Sequence, residues 1–345
     1  MRKWIAMNPD TNPVPRSFRI VSKTKIFDPE DGFFPLDDPG SVTDCTITKR
    51  DGKWWMYLAG TVKGKPGIHL FSASLPDGAP LSSTGWTLTP DPTSPTKIGL
   101  LAGYESSASW DLKGGRHCPS YVRGWNPDRQ QWVERIYYAG GAEQVWGPYT
   151  IGYLEWDGNR WVDQPSSVFL PEESWEHNSV YEPNLIYADG KWKMWYVAGS
   201  NQEDYLVHGF SESVDGRTNW TKHKIFAPPE IKLFDFSVIP SKAGYEAVFS
   251  RVWLAPSATS PETGLWHCRC DHHADELSQW SEPVQIMTAE NCGWHSGPWK
   301  PSVHYSETDS NRLLVFFDGI YRKNEPGPFP FAFTLGCLEL EWLGD

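Results

Sequence analysis

The chain has 345 residues, with 31 Lys and Arg against 43 Asp and Glu, a formal net charge of -12. That balance is repelled by phosphate backbones and anionic lipid, which argues against nucleic acid and membrane surfaces as partners. No stretch approaches the roughly 18 apolar residues of a membrane span.

The 30 Gly, 29 Pro, 20 Trp, 14 Tyr and 16 Phe suit short, punctuated strands with half-buried faces. No run places apolar residues at i, i+3, i+4 and i+7, so helix is expected to be scarce. The opening Met1-Arg2-Lys3-Trp4-Ile5-Ala6-Met7-Asn8-Pro9 is basic but lacks the apolar run of a secretory signal. The expectation is a soluble, cytoplasmic protein.

The first strand signal, Phe18 through Ile26-Phe27-Asp28-Pro29, ends in Ile-Phe-x-Pro. Next comes Asp44-Cys45-Thr46-Ile47, then an Asp51-Gly52 turn into Lys53-Trp54-Trp55-Met56-Tyr57-Leu58-Ala59-Gly60, a strand over Ile68 to Ala73, and a further strand near Trp86. Asp-Gly between apolar runs is a strong hairpin signal.

The same unit then recurs. Its second copy starts at Cys118-Pro119-Ser120-Tyr121, continues from Gln131 to Gly140, and ends from Trp161 to Val168-Phe169-Leu170-Pro171. The third starts at Glu182-Pro183-Asn184-Leu185, turns at Asp189-Gly190, and ends from Trp220 to Ile225-Phe226-Ala227-Pro228. The fourth starts at Asp235-Phe236-Ser237-Val238, with strands over Gly244 to Ser250 and Leu265 to Cys270 and a last one near Trp280. The fifth starts at Lys300-Pro301-Ser302-Val303 and stops on its third strand, Phe331 to Leu340.

A strand-rich period of about 50–75 residues signals a repeat architecture. Five four-stranded units make an all-β, five-bladed β-propeller of antiparallel blades, a single domain over residues 1–345. The fifth unit lacks a fourth strand, and the N-terminal strand supplies it and closes the ring.

The first strand of each unit is then an inner edge, where Pro is tolerated because one row of N–H groups is unpaired. Alternation along that strand puts the first residue of each column copy and the small polar residue two places on (Thr46, Ser120, Asn184, Ser237, Ser302) toward the central channel. The residue between them and the apolar one after them pack against the neighbouring blade.

The first positions read Asp44, Cys118, Glu182, Asp235 and Lys300. Inner strands converge, so three carboxylates meet at one mouth. Their repulsion raises at least one pKa and leaves one acid protonated beside an ionised partner, the combination glycosidic cleavage needs. The bland alternative is ion pairing with Lys300, Arg116, Arg251 or His117.

His117 suits proton transfer or ligand contact, and Lys300 could neutralise a substrate carboxylate or pair with Asp235 or Asp44. Trp299, Arg116, Arg251 and His295 join them as substrate-binding candidates. Cys118 among acids is a poor nucleophile. Cys268-Arg269-Cys270-Asp271-His272-His273 lacks zinc spacing and reads as strand alternation followed by a turn. No metal or cofactor is expected.

The strand pair Glu182-Pro183-Asn184-Leu185-Ile186-Tyr187-Ala188-Asp189-Gly190-Lys191-Trp192-Lys193-Met194-Trp195-Tyr196 resembles the five-bladed β-propeller glycoside hydrolases, the group that includes the arabinanase/β-xylosidase and invertase/levanase families. The resemblance implies a glycoside or oligosaccharide substrate. It also implies Asp44 as general base or nucleophile, Glu182 as general acid, and Asp235 as the carboxylate that orients substrate and tunes the acid. Those families present Asp, Asp, Glu in chain order. This column reads Asp, Glu, Asp, with Cys118 in the second unit and no Trp-Met-Asn-Asp-Pro opening, so the split between Glu182 and Asp235 stays open. The altered order keeps two other readings in view: a non-hydrolytic lyase, isomerase or cyclase using acids and His117, and a carbohydrate-binding propeller without catalysis.

Overall fold

The structure is a computed structural model that describes residues 16–33, 36–102, 110–111, 115–141, 147–200, 205–225, 235–241, 244–251, 264–270, 280–292, 296–322 and 331–343. Five four-stranded antiparallel sheets form the blades of a propeller. Their innermost strands are Pro39–Arg50, Gly115–Asn126, Val180–Ala188, Phe236–Pro240 and Ser296–Tyr305. The N-terminal strand Phe18–Phe27 pairs with Phe331–Trp342 as the outer strand of the fifth blade, so the ring closes as the sequence implies.

The Asp-Gly turns account for the blade hairpins. Asp51 and Gly52 have φ of 52° and 80°, and Asp189 and Gly190 have 55° and 75°. Two residues in the left-handed region make the tight turn whose twist matches a strand pair, and they set the registers Arg50 to Lys53 and Ala188 to Lys191. The outer strands are shorter than expected in the second and third blades. Trp161–Asp163 and Thr221–Lys224 end before the Phe-x-Pro stretches. Phe169 makes only an isolated bridge to Ile151, because Pro and Ser residues beside it interrupt the ladder.

Apolar faces are buried between blades rather than within one. Ile47 and Phe71 of the first blade pack with Phe316 and Leu335 of the fifth. Separate clusters fill the junctions of the first and second blades, around Tyr57 and Ile136; the second and third, around Tyr137 and Trp192; the third and fourth, around Trp195 and Phe249; and the fourth and fifth, around Val248 and Val315.

The small polar residues of the column act as clamps between blades. Thr46 Oγ1 accepts the amide of Tyr121 at 3.2 Å, Ser120 Oγ that of Leu185 at 2.9 Å, Asn184 Oδ1 that of Val238 at 2.9 Å, and Ser237 Oγ that of Val303 at 2.9 Å. Each bond runs from one blade to the next, and each satisfies an amide on the edge strand that no ladder serves. Among the described residues, no helix is long and apolar enough to cross a membrane.

Candidate active site

The five column residues meet on the propeller axis. Four of them, Asp44, Cys118, Glu182 and Lys300, have φ of 51° to 54°, the left-handed region that non-glycine residues rarely occupy. In each of these strands the ladder slips by one residue at that point: between Thr43 and Thr46, His117 and Ser120, Tyr181 and Asn184, and Trp299 and Ser302. The left-handed residue opens a β-bulge, a device that re-aims a side chain. Strict alternation therefore fails here. Residues at all of the first three column positions border an axial cavity of about 40 Å³, room for about one water. The apolar fourth residues still pack against a neighbouring blade, as the period predicts.

All four charged members are buried, with relative exposures of 8% for Asp44, 9% for Glu182, 3% for Asp235 and 7% for Lys300. Lys300 holds the centre. Its Nζ forms an ion pair with Glu182 Oε2, lies 4.0 Å from Asp44 Oδ1, and donates to Cys118 Sγ at 2.9 Å. The Lys300 ammonium also sits 5.1 Å from the Trp299 ring centroid.

Asp44 is held as an anion. Burial opposes its charge, but Lys300, the Thr43 hydroxyl, His117 and the Cys118 amide outweigh burial and keep its carboxyl below the ordinary range. The Thr43 bond is 2.8 Å and the Cys118 amide bond 3.1 Å.

Asp235 is the opposite case. Burial pushes its carboxyl well above the ordinary value. The Ser250 hydroxyl at 3.0 Å opposes the shift, and the nearby Asp44 charge adds to it. The same ring thus holds one Asp carboxyl below the ordinary range and one above it. Burial likewise raises the Cys118 thiol, which stays protonated despite Lys300.

The other sequence candidates divide. His117 sits edge-on to Tyr149, with ring centroids 5.3 Å apart, and acts electrostatically on Asp44. Trp299 packs at 5.6 Å against Phe333 in a cluster with Tyr149, Tyr181 and Val197 from other blades, an aromatic group beside the acids. Arg116 is not at the axial cavity. It binds Asp111 and Asp163, each at 2.9 Å, in the second blade. His295 and the side chain of Arg251 lie outside the described residues.

One acceptor and one donor at the site have no counterpart in the column. Asp318, fully buried in the second strand of the fifth blade, accepts the Asp44 amide at 2.9 Å and bonds the Thr43 hydroxyl. Ser250 of the fourth blade supports Asp235. The repeat carried a signal for both. The second strands read Ala59-Gly60, Ala139-Gly140 and Ala198-Gly199 in the first three units, but Ser250-Arg251 and Asp318-Gly319 in the last two. Gly60 shows why the column is small there: a Cβ on it would lie 2.1 Å from the Ser41 carbonyl oxygen.

The sequence matches no protein-family model and no curated protein. Solved structures do resemble it. The catalytic domain of a family 62 α-L-arabinofuranosidase from Coprinopsis cinerea superposes with a TM-score of 0.61 at 13% identity, covering 95% of this chain and 98% of that one. A thermostable family-43 glycoside hydrolase gives 0.58 at 15% identity, over 91% and 96%. A family 117 glycoside hydrolase from the marine bacterium Zobellia galactanivorans gives 0.58 at 15%, over 94% and 90%. These three are glycoside hydrolases, and what this chain shares with them is the five-bladed propeller. Identities this low establish the shared fold, and the chemistry has to be argued from the side chains of this chain.

Proposed function

We propose that this propeller is a glycosidase-type enzyme for a small glycoside or oligosaccharide, with Asp44 as general base or nucleophile and Asp235 as proton donor. The observation that carries the reading is the opposite ionisation of two Asp residues on one ring, Asp44 held below and Asp235 above the ordinary carboxylate range. Environments that push two carboxyls apart assign acid and base. Asp235 donates to the leaving oxygen, while Asp44 either attacks the anomeric carbon or takes a proton from water. Glu182 is engaged by Lys300, so it positions that ammonium rather than giving up a proton. This exchanges the roles of Glu182 and Asp235 relative to the assignment carried over from the family. The fold neighbours support the reaction class.

Release of nitrophenol from a panel of aryl furanosides and pyranosides tests the proposal. Asp44→Asn and Asp235→Asn should each lower kcat/KM by about 100-fold or more, with melting temperatures little changed, while Glu182→Gln should cost less than either. Undiminished turnover in both Asp variants would sink the assignment. One observation favours a second reading. Lys300 stands between Asp44 and Glu182, an arrangement that locks these carboxylates together and also suits a non-hydrolytic enzyme or a carbohydrate-binding propeller without catalysis. Saturable binding of sugars without turnover of any panel member would favour it.

A further inference from the structure

Asp318 lies one layer behind Asp44, at the seam where the fifth blade meets the first. Its Oδ2 accepts the Asp44 amide at 2.9 Å and bonds Thr43 Oγ1. The same Thr43 hydroxyl is 2.8 Å from Asp44 Oδ1. A hydroxyl carries one proton, so it can donate to only one of these two carboxyl oxygens. For both contacts to be hydrogen bonds, the other carboxyl must itself bring a proton.

Asp44 is the poorer candidate to carry it. The Cys118 amide donates to its Oδ2, and the Lys300 ammonium lies 4.0 Å from its Oδ1, both of which favour the anion. Asp318 fits the neutral role. It has no measurable exposure, and its Oδ1 is buried with no hydrogen-bond partner among the described residues, a condition a neutral carboxyl tolerates far better than an anion. The groups facing it are Thr43, Asp44 and Cys45 from the first blade and Lys300 from its own; Cys45 is in turn faced by Cys337. Burial and the Asp44 charge both push the Asp318 carboxyl up, against Thr43, the Asp44 amide and Lys300.

We propose that Asp318 and Thr43 are positioning residues for Asp44: a neutral Asp318 donates to the Thr43 hydroxyl, which donates to Asp44 Oδ1. This chain fixes the face that the carboxylate presents, lowers its basicity, and holds the Thr43-Asp44 backbone in its left-handed turn. The inference rests on the reading of Asp44 as the reactive carboxylate, but its direct test does not need activity.

In the full chain labelled with 13C at Asp carboxyl carbons, the wild type at pH 7 should show the resonance of a protonated carboxyl that disappears in Asp318→Asn, and a second that disappears in Asp235→Asn. Both contacts fall on Asp318 Oδ2, so an Asn NH2 placed there can donate to Thr43 but cannot accept the Asp44 amide. Asp318→Asn should keep the Thr43 donation, and with it the Asp44 titration, while losing the stability of one hydrogen bond. Thr43→Val should move the Asp44 titration upward by about one pH unit, and Thr43→Ser should restore it. On any glycoside the wild type cleaves, the acid limb of kcat/KM should follow the same pattern. If Asp318→Asn removes no protonated resonance, or Thr43→Val leaves the Asp44 titration unmoved, the proposal is overturned. If both NMR results hold but Asp44→Asn stays active, the relay stands and the assignment of Asp44 as base fails.

Discussion

Replacing Lys300 by Met probes the electrostatics of the ring most directly. The ammonium lies 4.0 Å from Asp44 Oδ1 and pairs with Glu182. At an effective dielectric near 20, the 4.0 Å pair alone is worth about 4 kcal/mol. Removing one partner of a buried pair typically costs about 3–5 kcal/mol, because the other is left uncompensated. The variant can recover part of this by binding a proton, and the pH dependence follows from that.

In the wild type the Asp44 carboxyl is depressed, so its contribution is present above the unfolded value near 3.8 and is lost as pH falls through the folded one. Without Lys300, burial dominates and the carboxyl rises. Its neutral form then stabilises the fold only at low pH, and that contribution is lost as pH rises. Lys300→Met should therefore lose less near pH 4 than at pH 8, where the loss is about 3 kcal/mol, a drop of roughly 4 °C for a chain this size. Urea midpoints at the two pH values measure it. The double variant Lys300→Met/Glu182→Gln, which removes one of the stranded charges, should regain a good part of the loss. An equal loss at pH 4 and pH 8, or no recovery in the double variant, would refute the view that Lys300 compensates these carboxylates.

Asp235→Asn should gain stability relative to wild type as pH rises. The raised Asp235 carboxyl contributes fully below the unfolded value and loses that contribution as pH climbs through the folded one; thermal melts at pH 4 and pH 9 check the sign. Ser237→Ala leaves the Val303 amide without its 2.9 Å partner, a cost of about 1–3 kcal/mol in a urea titration. His69, whose Nε2 is 3.0 Å from the Pro66 carbonyl, has its pKa lowered by burial to about 4. The stability it holds above pH ~6.5 is lost as pH falls toward 4, and His69→Gln should shrink the pH 7 to pH 4 difference by about 3 kcal/mol.

The propeller was legible because its evidence is redundant. Five copies of one strand pattern, two Asp-Gly turns and a stray N-terminal strand point the same way, and weak outer strands do not disturb the count. The column was legible for the same reason. Its geometry was not, since a period of two assumes an unbroken ladder, and the left-handed turns at Asp44, Cys118, Glu182 and Lys300 insert a residue into each. Nothing in the residue types announces that turn: Glu and Lys are not residues a left-handed position selects. Thr46, Ser120 and Asn184 border the axial cavity, as expected of channel lining, but what the alternation did not show is that their oxygens, with that of Ser237, are bound to the next blade's amides. Asp318 was readable as the charged break in an Ala-Gly pattern, but it only gains meaning once the fifth blade is set beside the first.

That adjacency has a consequence for how the protein comes into being. Phe18 pairs with Trp342, so on a ribosome adding about 5–20 residues per second the outer strand waits roughly 15 to 60 s for its partner. Until the fifth blade docks, Asp44 lacks Thr43's second contact, its amide lacks Asp318, and Lys300 is elsewhere. The surroundings of Asp44 are thus complete only once the fifth blade is in place. An unclosed chain carries the acids without the environment that sets them apart, and the ionisation of Asp44 becomes a report on whether the circle has shut.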